Sequence, residues 1–489
     1  MEYKPSKFQV KIFDAIKTGK GNIIIQAVAG SGKTTTIIQA TNMIPKADKS
    51  IFLAFNKSIA DELRAKLPNN IQAKTLHSLG LSMFRKNIGE FPKIDSDKLR
   101  NLIKQELENN NIEYTQADDI LQGLLKLIPM LKATLIDYTN IAEIEELKFK
   151  YNIDVDVDDL AMPIIKNVME NSRKIFSVID FDDMIYLPVA NKWDADTYDW
   201  VFVDETQDLN KSQFELIKKI CNGKTRIIAV GDRQQSIYAF RGADSNSMDN
   251  FKEYFKAKEL PLSICYRCAK KIVELAQEIV SEIEYSDTAK EGIVEDIDIL
   301  KFIKDVDDKD LVLCRTNAPL IKIAFALIRE GKKAIIRGKD IGRNLIKLID
   351  RYKVSNLEDL IEKIINLRDL DEQKLLMIKI GKYDRKKKNM LLSSVDTCET
   401  LLVIAEDESI DTIRELKVRI DTIFSDAKEG IICSSVHKAK GLESDRVYIT
   451  HYELMPFPKA ETDEEIRQEM NIKYVAITRA KNELYFIRE

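Results

Sequence analysis

A chain of 489 residues is long enough for two or three domains of ordinary size, each with its own core. Charged residues make up 32% and hydrophobic ones 44%, a globular balance that excludes a disordered or membrane-embedded chain. With 76 Lys and Arg against 80 Asp and Glu the net charge is −4, which excludes a uniformly basic nucleic-acid-coating protein but leaves room for a local basic groove. Six cysteines spread along the chain fit a reducing compartment. Cys265 and Cys268 have metal or redox spacing, but no second pair follows and only three histidines are present, so no structural metal is expected. No stretch approaches the ~18 apolar residues of a spanning helix, so neither a signal peptide nor an anchor is expected, and the chain is assigned to the cytoplasm.

In chain order, Phe8 to Ile16 has the apolar spacing of a short amphipathic helix. It carries Gln9, either a plain surface residue or a reader of an adenine edge, since a carboxamide offers both a donor and an acceptor. The strand Ile23 to Gln26 then runs into Ala27-Val28-Ala29-Gly30-Ser31-Gly32-Lys33-Thr34, with a helix expected from about Thr34. Gly30 and Gly32 allow the tight turn that brings backbone N–H groups onto phosphate oxygens, and the helix N-terminus favours negative charge. Lys33 is placed to reach the β- and γ-phosphates and Thr34 to ligate Mg²⁺. The strict phosphate-loop pattern has Gly where this chain has Ala27. Next come the buried strand Ile51 to Phe55, Asn56 and a helix Ile59 to Lys66, then a strand leading into Thr75-Leu76-His77. This rhythm describes a RecA-like α/β sheet.

From about Arg85 to Lys174 the pattern changes to helices such as Asp97 to Asn109 and Asp118 to Thr134, a helical insertion without strand rhythm. The sheet resumes at Trp200 to Val203 and delivers Asp204-Glu205-Thr206-Gln207-Asp208 at the strand end where ligands of open α/β sheets bind. Asp204 is placed to hold Mg²⁺, and Glu205 to orient and deprotonate an attacking water. A strand Thr225 to Val230 precedes Gly231 to Gly242, where Gln235 is placed to sense a γ-phosphate and Tyr238, Phe240 and Arg241 to form a base-stacking platform. Strands are also expected at Leu311 to Cys314, Ala334 to Arg337, Ile431 to Ser434, Arg446 to Thr450 and Glu483 to Ile487. A second, shorter helical segment lies between them and carries the basic run Arg385 to Lys388, which reads more readily as a solvated turn than as a duplex contact.

Taken together, the chain resembles superfamily 1 DNA helicases of the UvrD/Rep/PcrA type. The resemblance rests on Ala27 to Thr34, Ala54-Phe-Asn-Lys57, Thr75-Leu-His77, Asp180-Phe-Asp-Asp183, Asp204 to Asp208, Gly231 to Ala243, Cys265-Tyr-Arg267, His437-Lys-Ala-Lys-Gly-Leu-Glu443 and Tyr474 to Lys481. The second of these and Arg337 to Gly342 are closest in form to phage helicases and the F-box DNA helicase branch. The resemblance implies two RecA-like parallel-sheet domains, each with a helical insertion: residues 1–84 with 175–262, insertion 85–174; residues 263–340 with 428–489, insertion 341–427. It implies ATP and Mg²⁺ as cofactors, with the nucleotide held by Gln9, Ala27, Val28, Ala29, Gly30, Ser31, Gly32, Lys33, Thr34, Thr35, Tyr266, Gly441 and Glu443. Tyr266 would stack on adenine, Glu443 bond the ribose, and Arg267 and Arg479 serve as arginine fingers beside the catalytic Lys33, Glu205 and Gln235.

Single-stranded DNA and its junctions with duplex are the implied partners, held by Phe55, Asn56, Thr75, His77, Tyr238, Phe240, Arg241, Ser435 and His437, with 3′-to-5′ movement by a monomer. A translocase that strips proteins from single strands is a second reading, because the second insertion is short. A non-motor ATP switch is a third.

Overall fold

The computed structural model describes residues 4–488 except 113, 152, 154, 158, 238–241, 243, 245, 381–386, 408–409 and 426–428, with the side chains of 114–116, 119, 389 and 425 also outside the description. The chain forms two compact units, Met1–Ser263 and Ile264–Glu489.

The first unit contains strands β1 (Ile23–Ala27), β2 (Ser50–Ala54), β3 (Ile71–Thr75), β4 (Lys93–Ile94), β5 (Val178–Ile179), β6 (Trp200–Val203), β7 (Arg226–Gly231) and β8 (Lys258–Leu262). Six of them form a parallel sheet in the order β3-β2-β6-β7-β1-β8. Strand side chains alternate between faces, and here both faces are covered. Ile23, Ile25, Phe52, Phe202 and Ile228 pack with Ile12, Phe13 and Ile37 on one side. Ile24, Leu53, Val201, Val203 and Ala229 pack with Leu79, Leu216 and Ile217 on the other. That double burial explains why these strands read as unbroken apolar runs.

Because every strand of the sheet points the same way, the segments that follow β1, β2, β3, β6 and β7 emerge at one edge, which carries the phosphate loop, Phe55, His77, Asp204 and Asp232. Between β3 and β6 the helices Lys98–Asn109, Tyr114–Thr134, Ile141–Tyr151 and Ala161–Lys174 bury a core of their own around Ile103, Leu124, Leu131, Ile144, Ile164 and Val168. The short parallel pair β4 and β5 joins this segment, where only helices were expected.

The second unit contains β9 (Ile264–Cys265), β10 (Glu284–Tyr285), β11 (Ile293–Asp298), β12 (Leu311–Cys314), β13 (Ala334–Arg337), β14 (Phe424–Ser425), β15 (Ile431–Ser435), β16 (Ser444–Thr450) and β17 (Ala480–Arg488). Seven form a second parallel sheet, β11-β17-β16-β12-β15-β13-β14. The helices Lys339–Tyr352, Leu357–Lys379, Lys388–Ala405 and Ile413–Ile423 share one apolar core with it: Leu345, Leu360, Leu401 and Ile420 belong to the same cluster as Val312 and Ile336.

In the two large sheets the unexpected strands are β8, β11 and β14, and all three are edge strands with one neighbour each; the short pair β9 and β10 is unexpected as well. An edge strand keeps one side in water and tolerates charge and proline, as in Lys258-Glu-Leu-Pro-Leu262 and Ile293-Val-Glu-Asp-Ile-Asp298, so its apolar signal is weak. The helix after the phosphate loop begins at Lys33, one residue earlier than expected.

Candidate nucleotide and nucleic-acid site

At the end of β1 the backbone turns through Gly30 at φ 66° and Gly32 at φ 76° into the helix Lys33–Thr41. A Cβ on Gly32 would meet nothing within 4 Å, so glycine is required there by conformation, and open space lies beside the loop. The helix has no side-chain cap, which leaves its first-turn N–H groups to a ligand or water. Ser31 is 1% exposed, and its Oγ has no hydrogen-bond partner among the described residues. Buried hydroxyls are rarely left unpaired. An orphan hydroxyl, uncapped amides and Lys33 together fit a polyphosphate. Thr34 is partly buried and Thr35 is exposed on the same turn.

Facing the loop is an acidic group from the ends of β6 and β7. Lys33 Nζ lies 3.1 Å from Glu205 Oε2, and Glu205 adopts φ 50°, a left-handed conformation uncommon outside glycine. Asp204 is 4% exposed, and burial together with the Glu205 charge pushes its carboxyl up to about 7. Burial likewise lifts Asp232 to about 6, against the opposing pull of Lys33. Burial would depress Lys33, but Glu205, Asp232 and Asp204 outweigh it and raise its pKa. The Asp204 carboxyl and the Thr34 hydroxyl are oxygen donors of the kind Mg²⁺ takes.

Two residues that received no role of their own from the sequence complete this arrangement. Gln207 Nε2 donates to Glu205 Oε2 at 2.6 Å and to Asp208 Oδ2 at 3.2 Å, while its Oε1 accepts from the Asp232 N–H at 2.9 Å. Asp232 Oδ2 in turn accepts from Gln235 Nε2 at 2.6 Å. Lys33, Glu205, Gln207, Asp232 and Gln235 therefore form one unbroken polar chain. Gly231 makes it possible, because a Cβ there would lie 2.6 Å from Gln207 Oε1 and 2.8 Å from Met248 Sδ. The available signal was position: both residues sit inside stretches already singled out.

Gln9 is 3% exposed and completes a capping box: its Oε1 accepts from the Ser6 N–H at 2.9 Å, and its Nε2 donates to Thr36 Oγ1 at 2.9 Å. One hydrogen and one lone pair of the carboxamide are left for a base. Asn56 and Thr75 cap the helices Lys57–Lys66 and Leu76–Ile88, accepting from the N–H groups of Ile59 and Ser78. Their neighbours carry the aromatic surface. Phe55 is 46% exposed, and His77, whose pKa is lowered by burial, meets the exposed ring of Phe181 edge-on at 6.3 Å. Phe181 is a further aromatic that the sequence reading quoted without a role. A small cavity lined by Phe55, Leu76, His77, Asp204, Leu209 and Gln213 brings the aromatic surface to the carboxylate of β6. Tyr238, Phe240 and Arg241 lie outside the described residues.

In the second unit Tyr266 is 48% exposed, and Arg267 Nε lies 2.6 Å from Glu443 Oε2. Lys481 Nζ holds the other Glu443 oxygen at 2.9 Å, and burial is outweighed by these cations, so the Glu443 pKa falls. Glu443 is thus paired twice, and a ribose hydroxyl would join an existing cluster. Arg479 is 1% exposed and donates to the carbonyls of Val475 at 2.9 Å and Leu442 at 3.2 Å. Burial and the like charge of Arg267 lower it to about 10, still protonated at neutral pH. Gly441 adopts φ 88°, Ser435 is buried at the start of the short helix Val436–Ala439, and His437 is half-buried on that helix. Cys265 and Cys268 are buried free thiols, and no metal-binding cluster occurs among the described residues.

The profile of the UvrD/REP helicase N-terminal domain matches residues 9–256, and that of the UvrD-like helicase C-terminal domain matches residues 332–489. The chain belongs to the UvrD-like helicase family. The ATP-dependent DNA helicase PcrA of Staphylococcus epidermidis is 23% identical to it over an alignment covering 96% of this chain and 82% of that protein. PcrA of Staphylococcus aureus is similar to the same extent, at 23% identity with 96% and 82% coverage. Both parallel sheets of this helicase family member fall within the expected RecA-like class. No helix among its described residues is long and apolar enough to cross a membrane.

Proposed function

We propose that the protein is an ATP-dependent DNA helicase that moves 3′ to 5′ along single-stranded DNA and couples hydrolysis to strand separation. The observation that carries this reading is the polar chain from Lys33 through Glu205, Gln207 and Asp232 to Gln235, beside a cavity that Asp204 shares with Phe55 and His77. A change in charge at the phosphates reaches Glu205 and Asp204 directly, and Asp204 lines the same pocket as Phe55 and His77. Lys33, Ser31 and the loop amides hold the triphosphate, Asp204 and Thr34 hold Mg²⁺, and Glu205 takes the proton of the attacking water. Mg²⁺, when bound, neutralises charge developing on the phosphoryl oxygens. Tyr266, Arg267, Glu443 and Arg479 keep the roles that the resemblance implies. Phe55, His77 and Phe181 supply faces on which bases stack without sequence preference.

Steady-state ATP hydrolysis with and without single-stranded DNA, followed by fluorescence unwinding of matched 3′- and 5′-tailed duplexes, tests this. Strong stimulation and unwinding of the 3′-tailed substrate are expected. Absence of stimulation would leave a DNA-binding ATP switch, and preference for the 5′ tail would overturn the direction. Protein stripping from single strands is a second reading, favoured by the second unit, whose inserted helices share most of their buried apolar residues with the sheet and keep only a small cluster around Leu375, Leu391 and Val395 to themselves.

A further inference from the structure

Arg233 lies in the turn after β7, between Asp232 and Gln235, with its side chain 25% exposed. Its guanidinium is fully directed. Nη1 donates to Gln26 Oε1 at 2.7 Å and to Glu259 Oε1 at 2.9 Å, and Nη2 donates to Asp249 Oδ1 at 2.7 Å and to Glu259 Oε2 at 3.2 Å. Gln26 also donates to Gln234 Oε1 at 3.1 Å, so the turn is held at two successive residues. Lys252 steadies Glu259 from the far side at 2.7 Å.

The partners belong to three different elements. Gln26 is on β1, one residue before the phosphate loop; Glu259 is on the edge strand β8; Asp249 is on the helix Ser247–Tyr254. Parallel pairing already aligns Gln26 with Gly231 on one side and Pro261 on the other, but the β1–β7 ladder stops where β7 ends. From the turn beyond it, the Arg233 fork reaches back to Gln26 and to Glu259, the partner of Ile24, and so ties a segment without strand pairing of its own to the ladder behind it. Ion pairs at this exposure add little to global stability. A planar fork with several fixed partners does restrict where its own backbone can sit.

We propose that Arg233 is a positioning residue for hydrolysis: it ties the turn carrying Asp232 and Gln235 to the strand that feeds the phosphate loop, and so holds Gln235 in register with Lys33. The assignment rests on the reading of Gln235 as the γ-phosphate contact. Glu259 and Gln26 belong to the same device. Displacing a positioned group by about 1 Å can cost on the order of 10²-fold in rate, and partial loosening costs less.

The test is DNA-stimulated ATP hydrolysis by the full chain carrying Arg233→Ala, Gln235→Ala, both together, Arg233→Lys or Glu259→Gln. Arg233→Ala is expected to lower kcat about tenfold with KM within about twofold, since it perturbs alignment rather than substrate binding. Its melting temperature should stay within a few degrees of the parent. The double variant should be no slower than Gln235→Ala alone. Arg233→Lys, which keeps the charge but loses the fork, should fall between, and Glu259→Gln should move kcat in the same direction by less. Losses that multiply in the double variant, or an undiminished kcat for Arg233→Ala, would overturn the inference. Wild-type turnover by Gln235→Ala would instead strike down the γ-phosphate reading, and the inference with it.

Discussion

Lys132 offers a sharp test of how the inserted helices are held. Its Nζ lies 2.8 Å from Asp183 Oδ1 and 3.2 Å from Asp180 Oδ2, while Lys98 Nζ lies 2.6 Å from Asp183 Oδ2. Side-chain exposures are 1% for Lys132, 0% for Asp183 and 9% for Asp180, so the range for buried pairs applies rather than that for surface pairs. Lys132→Met keeps most of the side-chain volume but strands carboxylates in the interior, a change that costs about 3–5 kcal/mol. At about 2–4 °C per kcal/mol for a unit of this size, the first unit should melt roughly 6–20 °C lower near neutral pH.

The pH dependence has a definite sign. Burial would raise the Asp183 pKa, but Lys132 and Lys98 outweigh it and hold the carboxyl below its ordinary value. In the parent, its contribution is therefore full above the unfolded pKa of about 3.9 and is lost as pH falls through the lower folded value. Removing Lys132 leaves burial with one opposing cation, so the folded pKa rises and the deficit is largest at neutral pH. It narrows as the medium is acidified through that raised value. Thermal melts of both proteins from pH 4 to 8 read this directly. A Lys132→Met protein melting within about 1 kcal/mol of the parent at pH 7.5 would refute the buried-network argument. The same network supports the N-terminus of the helix Phe181–Ala190, so weaker single-strand binding should accompany the loss of stability.

Glu205→Gln should lower ATP turnover by about 10²- to 10⁴-fold, the span of a lost general base, with single-stranded DNA affinity retained; undiminished turnover would remove Glu205 from the chemistry. Gly231→Ala should cost about 1–3 kcal/mol and impair hydrolysis, because the new methyl meets Gln207 Oε1 at 2.6 Å and the Gln207 backbone nitrogen at 3.1 Å; melting and ATPase assays check both parts, and a fully active, equally stable variant would refute them. Phe181→Ala should weaken single-stranded DNA binding by about 1–3 kcal/mol without changing DNA-free ATP turnover, as measured by fluorescence anisotropy and phosphate release. Unchanged affinity would remove Phe181 from the nucleic-acid surface.

The chain's own order determined what depends on residue type at short range. Gly30, Gly32, Lys33 and Thr34 announce a phosphate loop because turn conformation, amine and hydroxyl are all specified within a few residues. Asp204 and Glu205 announce an acidic strand end because an apolar run of four residues precedes them. Tertiary structure alone decided the rest. Gln207 and Asp232 are 25 positions apart, and only the neighbouring placement of β6 and β7 joins them into one polar chain. Nothing in the local sequence marks Lys98 or Lys132 as buried, yet both ammonium groups are buried on Asp183. Arg233 could be any surface arginine until β1, β8 and the helix Ser247–Tyr254 bring four acceptor oxygens, from three residues, to its fork. A local pattern states which groups a segment carries, whereas burial and long-range pairing belong to the packed chain and exist only once distant segments share a surface.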